Sequence, residues 1–394
     1  MFFQLQLINH EVTIAREAEY FNFDFELQTL YKTIMAKTAE KILIIRFSSF
    51  GDILATFTVM AALRQSFPTA GIHWLTRNDF AEIAQASGEV NQVWSLEKKK
   101  GWRGLLQMML SLRQQNFTHV YDAHNNLRSH MISWALRGPW GLLSLWPTQF
   151  LRPKFIRRSQ YRWRRFLLFR FHINRYPKPF VHQWALLEPL AQWNVSLELP
   201  PAPLLRIPIN LQQEAHLSLS NFLDKSRPIV ALSPSASYEL KRWPVSYWKD
   251  LIRQNPHWNF VALGGPDDQF IEEIVSVAAE RCLNFSGKLS YLQSAAMVSQ
   301  ADVLVSNDTG LMHVAEQLGK SCVALLGPAP FGYPGRSTTV IKERELYCRP
   351  CSKHGQGPCV NKEYQKCMTD ISVSEVGEAV QKILAESVKK NGAG

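Results

Sequence analysis

Asp52 stands in a loop of small and polar residues, Ser48-Ser49-Phe50-Gly51-Asp52, directly after the apolar run Lys41–Phe47. A carboxylate at such a place can take the proton from an attacking hydroxyl, and Gly51 beside it lets backbone come close to a ligand. An Asp at the start of a helix also satisfies free backbone N–H groups, so spacing leaves catalysis and helix capping both open. A second cluster, Ser306-Asn307-Asp308-Thr309-Gly310-Leu311-Met312-His313, is a polar turn that opens a helix at Thr309 or Gly310. The positive end of that helix suits a pyrophosphate, and Thr309 and His313, four residues apart, can face the same ligand. The plain reading of His313 is a half-buried helix histidine with an ordinary hydrogen bond. A third cluster joins Ser233-Pro234-Ser235-Ala236-Ser237 to Lys241-Arg242-Trp243-Pro244. Its hydroxyls and mobile lysine charge suit phosphate oxygens, and a solvated surface loop is the alternative.

Two stretches carry chemistry of another kind. Cys348, Cys351, Cys359 and Cys367 follow the spacing C-x2-C-x7-C-x7-C. Four thiols so placed suit tetrahedral zinc or a reduced structural cluster, and the second pair is wider than in a standard zinc finger. Arg152–Arg175 interleaves arginine with Phe, Tyr and Trp, inside an interval (Ala123–Leu187) that has twelve Lys or Arg and no acidic residue. That mixture fits an anionic membrane surface or glycolipid, a nucleic acid, or a solvated helix face. The clustered apolar side chains favour the membrane surface.

An alternating α/β frame must position these clusters. The chain has 394 residues with a formal net charge of +11, 46% hydrophobic and 20% charged. Such length calls for two domains, and such composition for a soluble globular protein. No run approaches the roughly 18 apolar residues of a membrane-spanning helix. The N-terminus lacks a basic n-region and meets Glu11, Glu17 and Glu19 too early for a signal peptide, so a cytoplasmic protein with reduced cysteines is expected. Residues 1–38 read as an extension of unknown role, with Met35 as an alternative start. Strands are predicted at Lys41–Phe47, Gly71–Leu75, Gln92–Ser95 and His119–Tyr121, with helices at Ile53–Phe67, Asp79–Ser87 and Leu105–Gln114 between them. The proline-rich stretch Pro200–Pro208 marks a linker. Beyond it, strands at Ile229–Leu232, Phe260–Leu263, Val303–Ser306 and Cys322–Leu325 alternate with helices at Ser246–Arg253, Gln269–Glu280, Leu292–Ser299 and Gly310–Leu318. Two doubly wound, Rossmann-like halves follow from this alternation.

In family order, the segments KILIIRFSSFGDILAT, YDAHNNLRS, LKRWP, SNDTGLMHVAEQLG and LLGPAP resemble the ADP-heptose:lipopolysaccharide heptosyltransferases, glycosyltransferase family 9, from about Lys41 to about Ile383. The N-terminal extension and the loop Phe331–Arg336 depart from that pattern. The resemblance implies a GT-B fold, two Rossmann-like domains facing across a cleft. Residues 39–205 would form the acceptor-binding domain and 206–394 the nucleotide-sugar domain. It implies inverting, metal-independent transfer of heptose from ADP-heptose to a lipopolysaccharide core or lipid A precursor, at the inner face of the inner membrane. Asp52 matches the family's catalytic base and Lys241 the residue that neutralises the leaving diphosphate. Ser235, Ser237, Leu289, Asp308, Thr309, Gly310 and His313 fall on the donor side. Ser49, Gly51, Asn125 and Arg128 fall on the acceptor side. No cofactor or catalytic metal is implied, and zinc at the four cysteines is a separate option. The alternatives are a related transferase using another nucleotide sugar or glycan, and, more remotely, a basic nucleic-acid-binding protein.

Overall fold

The computed structural model describes residues 40–137, 153–177 and 180–392, so the extension at 1–38 lies outside the described residues. The first half contains β1 (Lys41–Ile45), α1 (Phe50–Ser66), β2 (Gly71–Arg77), β3 (Gln92–Leu96), α2 (Gly101–Arg113), β4 (His119–Asp122), α3 (Leu127–Arg137), β5 (Lys154–Arg157), α4 (Arg162–Phe171) and α5 (His182–Leu187). Ile42, Leu43, Ile44 and Ile45 have no exposed surface, as a central strand covered on both faces requires. The five strands pair in parallel in the order β3-β2-β1-β4-β5. Leu105, Leu112 and Ile132 of α2 and α3 cover one face with Leu43 and Ile45. Helix α1 covers the other.

The second half contains α6 (Ile209–Ser220), β6 (Ile229–Ser233), α7 (Val245–Gln254), β7 (Asn259–Ala262), α8 (Phe270–Val275), β8 (Cys282–Asn284), α9 (Tyr291–Gln300), β9 (Val303–Asn307), α10 (Gly310–Leu318), β10 (Ser321–Leu326), β11 (Thr339–Glu343) and α11 (Val373–Gly392). Its six parallel strands run β11-β10-β9-β6-β7-β8. Each sheet reverses its winding once, between β1 and β4 and between β6 and β9. In open α/β sheets, ligands bind at the carboxyl ends of the strands on either side of such a reversal. The segments that follow those four strands carry Asp52, Asn125, Lys241 and Asp308.

One apolar core runs from the α1 face of the first sheet through α5, α9 and α10 into the second. Helices α1 and α10 meet near their N-termini, where glycine is required. A Cβ on Gly310 would stand 2.2 Å from Phe50 Cδ1, and one on Gly51 2.9 Å from His313 Cδ2. Phe50 then stacks on Tyr291 across the junction, with ring centroids 4.3 Å apart. The linker lies against α10, with the Leu204 and Leu205 N–H groups donating to Gln317 O at 2.7 and 3.1 Å.

Three details correct the sequence reading. Helix α1 begins at Phe50 with Ser49 as N-cap, so Asp52 is its third residue and not the cap itself. The basic stretch is not one amphipathic helix: Lys154–Arg157 is an edge strand beside β4, and of its described residues only Arg162–Phe171 are helical. The helix expected over Gln269–Glu280 ends at Val275, where Ser276 Oγ donates to Glu273 O at 3.0 Å and competes with the backbone ladder.

Candidate active site

Asp52 uses its two oxygens differently. Oδ2 accepts from Ser49 N at 3.0 Å and Ser49 Oγ at 2.9 Å, half of a capping box that fixes the carboxylate at the mouth of α1. Oδ1 pairs with the Arg46 guanidinium, receives His182 Nε2 at 3.0 Å and has Arg158 at 3.8 Å. Burial alone would raise this carboxyl, but Arg46, then His182 and Arg158, hold it well below the usual carboxylate range. Burial pushes His182 down to about 4, so its imidazole is neutral at pH 7 and donates to a carboxylate that is ionised. Arg46 is itself anchored by donation to Ala123 O at 2.6 Å.

The loop after β4 is ordered by Asp122, which is fully buried. It accepts from Asn125 N at 2.7 Å, Ser129 Oγ at 2.9 Å and Arg157 Nε at 3.0 Å. Asn125, at φ 56°, spends its side chain on Arg158 O and His130 Nε2, both at 2.7 Å. It therefore positions the Arg158 loop.

On the facing lobe, a short 3-10 turn (Glu239–Lys241) carries Lys241, held by the buried Leu240 and Trp243. Trp243 Nε1 donates to Ile371 O at 2.9 Å. Asn307 joins this turn to the end of β9: its Oδ1 accepts from Trp243 N at 3.2 Å and its Nδ2 donates to Pro234 O at 2.7 Å. Lys241 Nζ reaches Asp308 at 2.5 Å. Thr309 is the N-cap residue of α10, and its Oγ1 lies 3.2 Å from both Ser233 Oγ and Ser306 Oγ. His313 Nδ1 is 2.8 Å from the fully buried Glu316, which leaves Nε2 for the ligand side. Burial opposes a charge on His313, but the Glu316 hydrogen bond and charge raise its pKa above the ordinary value.

The two sides face one another across a cleft of about 660 Å³ between the lobes. Ser49, Gly51, Asp52 and Asn125 line it from one side, and Ser237, Lys241, Asp308, Thr309, Gly310 and His313 from the other. Three expected residues do not line it. Arg128 is exposed at the start of α3, whose inward position is taken by Ser129. Ser235 is half-buried outside the cleft wall, and Leu289 packs its side chain against the apolar core.

The family model of glycosyltransferase family 9 (heptosyltransferase) matches residues 105–364, about two thirds of the chain. The chain belongs to glycosyltransferase family 9. Lipopolysaccharide heptosyltransferase 2 of Salmonella typhimurium is 27% identical over 202 residues, which covers 47% of this chain and 56% of that protein. Lipopolysaccharide core heptosyltransferase OpsX of Haemophilus influenzae is 20% identical over 89% of this chain and 99% of its own length. Among solved structures, ADP-heptose lps heptosyltransferase II of E. coli superposes with a TM-score of 0.66 at 20% identity, covering 88% of this chain and 99% of its own. A glycosyl transferase family 9 protein from Veillonella parvula gives 0.70 at 18% identity, covering 88% and 98%. The fold is therefore GT-B.

The family 9 match begins after Asp52, so that residue's place in the site rests on geometry. Sequence reasoning missed Arg46, Arg158, Tyr161, Arg165, His182, Lys353 and His354, all of which line the family 9 cleft. Arg158 and Arg165 had a signal, the basic stretch, but nothing there distinguished them from their neighbours. The four cysteines surround one small cavity with Leu240 and Pro328. Among the described residues, no three His, Cys, Asp or Glu side chains are placed to hold a metal ion. Burial pushes the Cys367 thiol up to about 12 and raises Cys351, which keeps both protonated.

Proposed function

We propose that this family 9 chain transfers heptose from ADP-heptose to a lipopolysaccharide core or lipid A precursor acceptor. The observation that carries the reading is the meeting of Asp52 with Lys241 and the α10 N-terminus in one interlobe cleft, at the winding reversals of both sheets. Asp52, ionised at neutral pH, takes the proton of the acceptor hydroxyl as that oxygen attacks the anomeric carbon. The bond from that carbon to the diphosphate breaks, and attack from the opposite face inverts the centre. Charge then grows on the leaving diphosphate, where Lys241, the N–H groups of α10 and His313 stabilise it. Lys241 exchanges its contact with Asp308 for the phosphate oxygens when the donor binds.

Metal independence is supported by the positive charge that the chain itself supplies to the diphosphate, from Lys241 and the N-terminus of α10, while Asp52 is already engaged by Arg46. We assign the four cysteines to a reduced structural cluster; stoichiometric zinc in the purified protein would replace that assignment. We place the enzyme in the cytoplasm, on the inner face of the inner membrane. Helix α4 supports this, because it exposes Trp163, Phe166 and Phe171 among Arg162, Arg164 and Arg170. No helix among the described residues is long and apolar enough to cross a membrane. The test is incubation with ADP-heptose and truncated lipopolysaccharide in EDTA, with sugar addition followed by mass. A gain of one heptose supports the reading, and transfer only from another nucleotide sugar would assign a different donor.

A further inference from the structure

The four-cysteine segment has no role in the transfer step as described, yet it delivers Lys353 and His354 to the cleft. We infer that this segment is a third wall of the site and that Lys353 binds an anionic group of the acceptor, an inference that rests on the transferase reading above. The segment is secured at several points. Asn361 Nδ2 donates to Cys348 Sγ and Gln365 N to Cys359 Sγ, each at 3.3 Å. Cys351 N donates to Pro328 O at 3.2 Å. Gln365 Nε2 donates to Glu239 O at 2.7 Å and Tyr364 OH to Glu239 Oε1 at 2.9 Å, which ties the segment to the turn that carries Lys241. Gly355, at φ 84°, passes so close to that lysine that a Cβ would stand 2.8 Å from Lys241 Cγ. Only glycine suits that passage, and it fixes where the two preceding side chains emerge.

Lys353 emerges beside Arg158 and Arg165, which come from the opposite lobe. Among the described residues, no carboxylate lies within salt-bridge distance of Lys353 or Arg165, and Asp52 is occupied by Arg46 and His182. Burial and then the charges of Arg165 and Arg158 disfavour the charge on Lys353, with Asp52 opposing, so an anion entering between the two lobes there would find one cation on one wall and two on the other. The diphosphate is accounted for by Lys241 and α10. The anion at Lys353, on the Arg158 side, therefore belongs to the acceptor, as a sugar carboxylate or a phosphate. Because the lysine rides on one lobe and the arginines on the other, the acceptor's own charge would hold the two walls together during transfer.

The test compares wild type, Lys353→Ala and Lys353→Arg in steady-state transfer from ADP-heptose to truncated lipopolysaccharide, alongside titrations of ADP and of acceptor alone. Lys353→Ala should raise the acceptor KM about tenfold or more, as expected for a lost charge-assisted contact, with ADP affinity and Tm unchanged. Lys353→Arg should restore most of the loss. With a dephosphorylated acceptor, disappearance of the Lys353→Ala defect names phosphate as the anion, and its persistence names the carboxylate. An unchanged acceptor KM and affinity, or a loss of ADP affinity instead, would overturn the inference. Because acceptor binding is also titrated without donor, failure of the wild type to transfer counts against the transferase reading alone.

Discussion

Asp52 closes the capping box of α1 with Oδ2 and meets Arg46 and His182 with Oδ1, so the helix-end role and the proposed role as base do not compete for one atom. The capping box makes the carboxylate rigid, and Arg46 and His182 set its charge. None of that second set was legible: Arg46 sits within an apolar strand run, and His182 is brought in by packing 130 residues further along the chain. Lys241 was legible because its turn is built by local sequence, with Trp243 and Pro244 just after it. Lys241→Ala should lower kcat roughly 10²-fold or more, through lost stabilisation of the leaving diphosphate. A rate within threefold of wild type would remove the phosphate role. Since Asp308 loses its partner in that variant, Lys241→Ala/Asp308→Asn separates the effect of an unpaired carboxylate from that of the missing cation.

The strands and helices that carry these residues were largely readable, because a buried parallel strand is an apolar run and its following helix has a 3.6-residue period. Strands β5, β8 and β11 were not. They lie towards or at sheet edges, and β5, Lys-Phe-Ile-Arg, buries only Ile156. The joint of α1 against α10 was visible only as two separate glycines. Gly310→Ala would drive a methyl into the Phe50 ring and should cost roughly 1–3 kcal/mol of stability, read as a lower denaturation midpoint, with slower transfer. Adding Phe50→Ala should make the double variant less sensitive to the glycine change than the sum of the single effects. Simple additivity would mean that the two residues do not meet.

Across the whole chain, the site is a property of two lobes and of one apolar core that joins them. Burial also sets how the molecule responds to acid. His119, His124 and His182 are each held at about 4, mainly by desolvation, below the ordinary value of 6.5. The unfolded chain therefore binds these protons first as pH falls, and stability drops between about pH 6.5 and 4. His313 has the opposite sign: its raised pKa adds stability below about 6.5 that is lost as pH rises through the folded value. His73 and His354 are lowered in the same sense, so with five histidines against one the net stability at pH 5.5 should be lower than at pH 7.5 by on the order of 1–3 kcal/mol in denaturant titrations. Equal midpoints at the two pH values would show that these histidines are solvated in the native protein.

The claim on which the mechanism rests is that a carboxylate of the first lobe acts on a sugar held by the second. Asp52→Asn keeps the shape of the side chain and much of its hydrogen bonding while removing the base. Single-turnover transfer from ADP-heptose, measured beside ADP affinity, tests it directly. The expected result is a rate at least about 10²-fold below wild type with ADP affinity within twofold. Transfer at the wild-type rate by Asp52→Asn would contradict the mechanism.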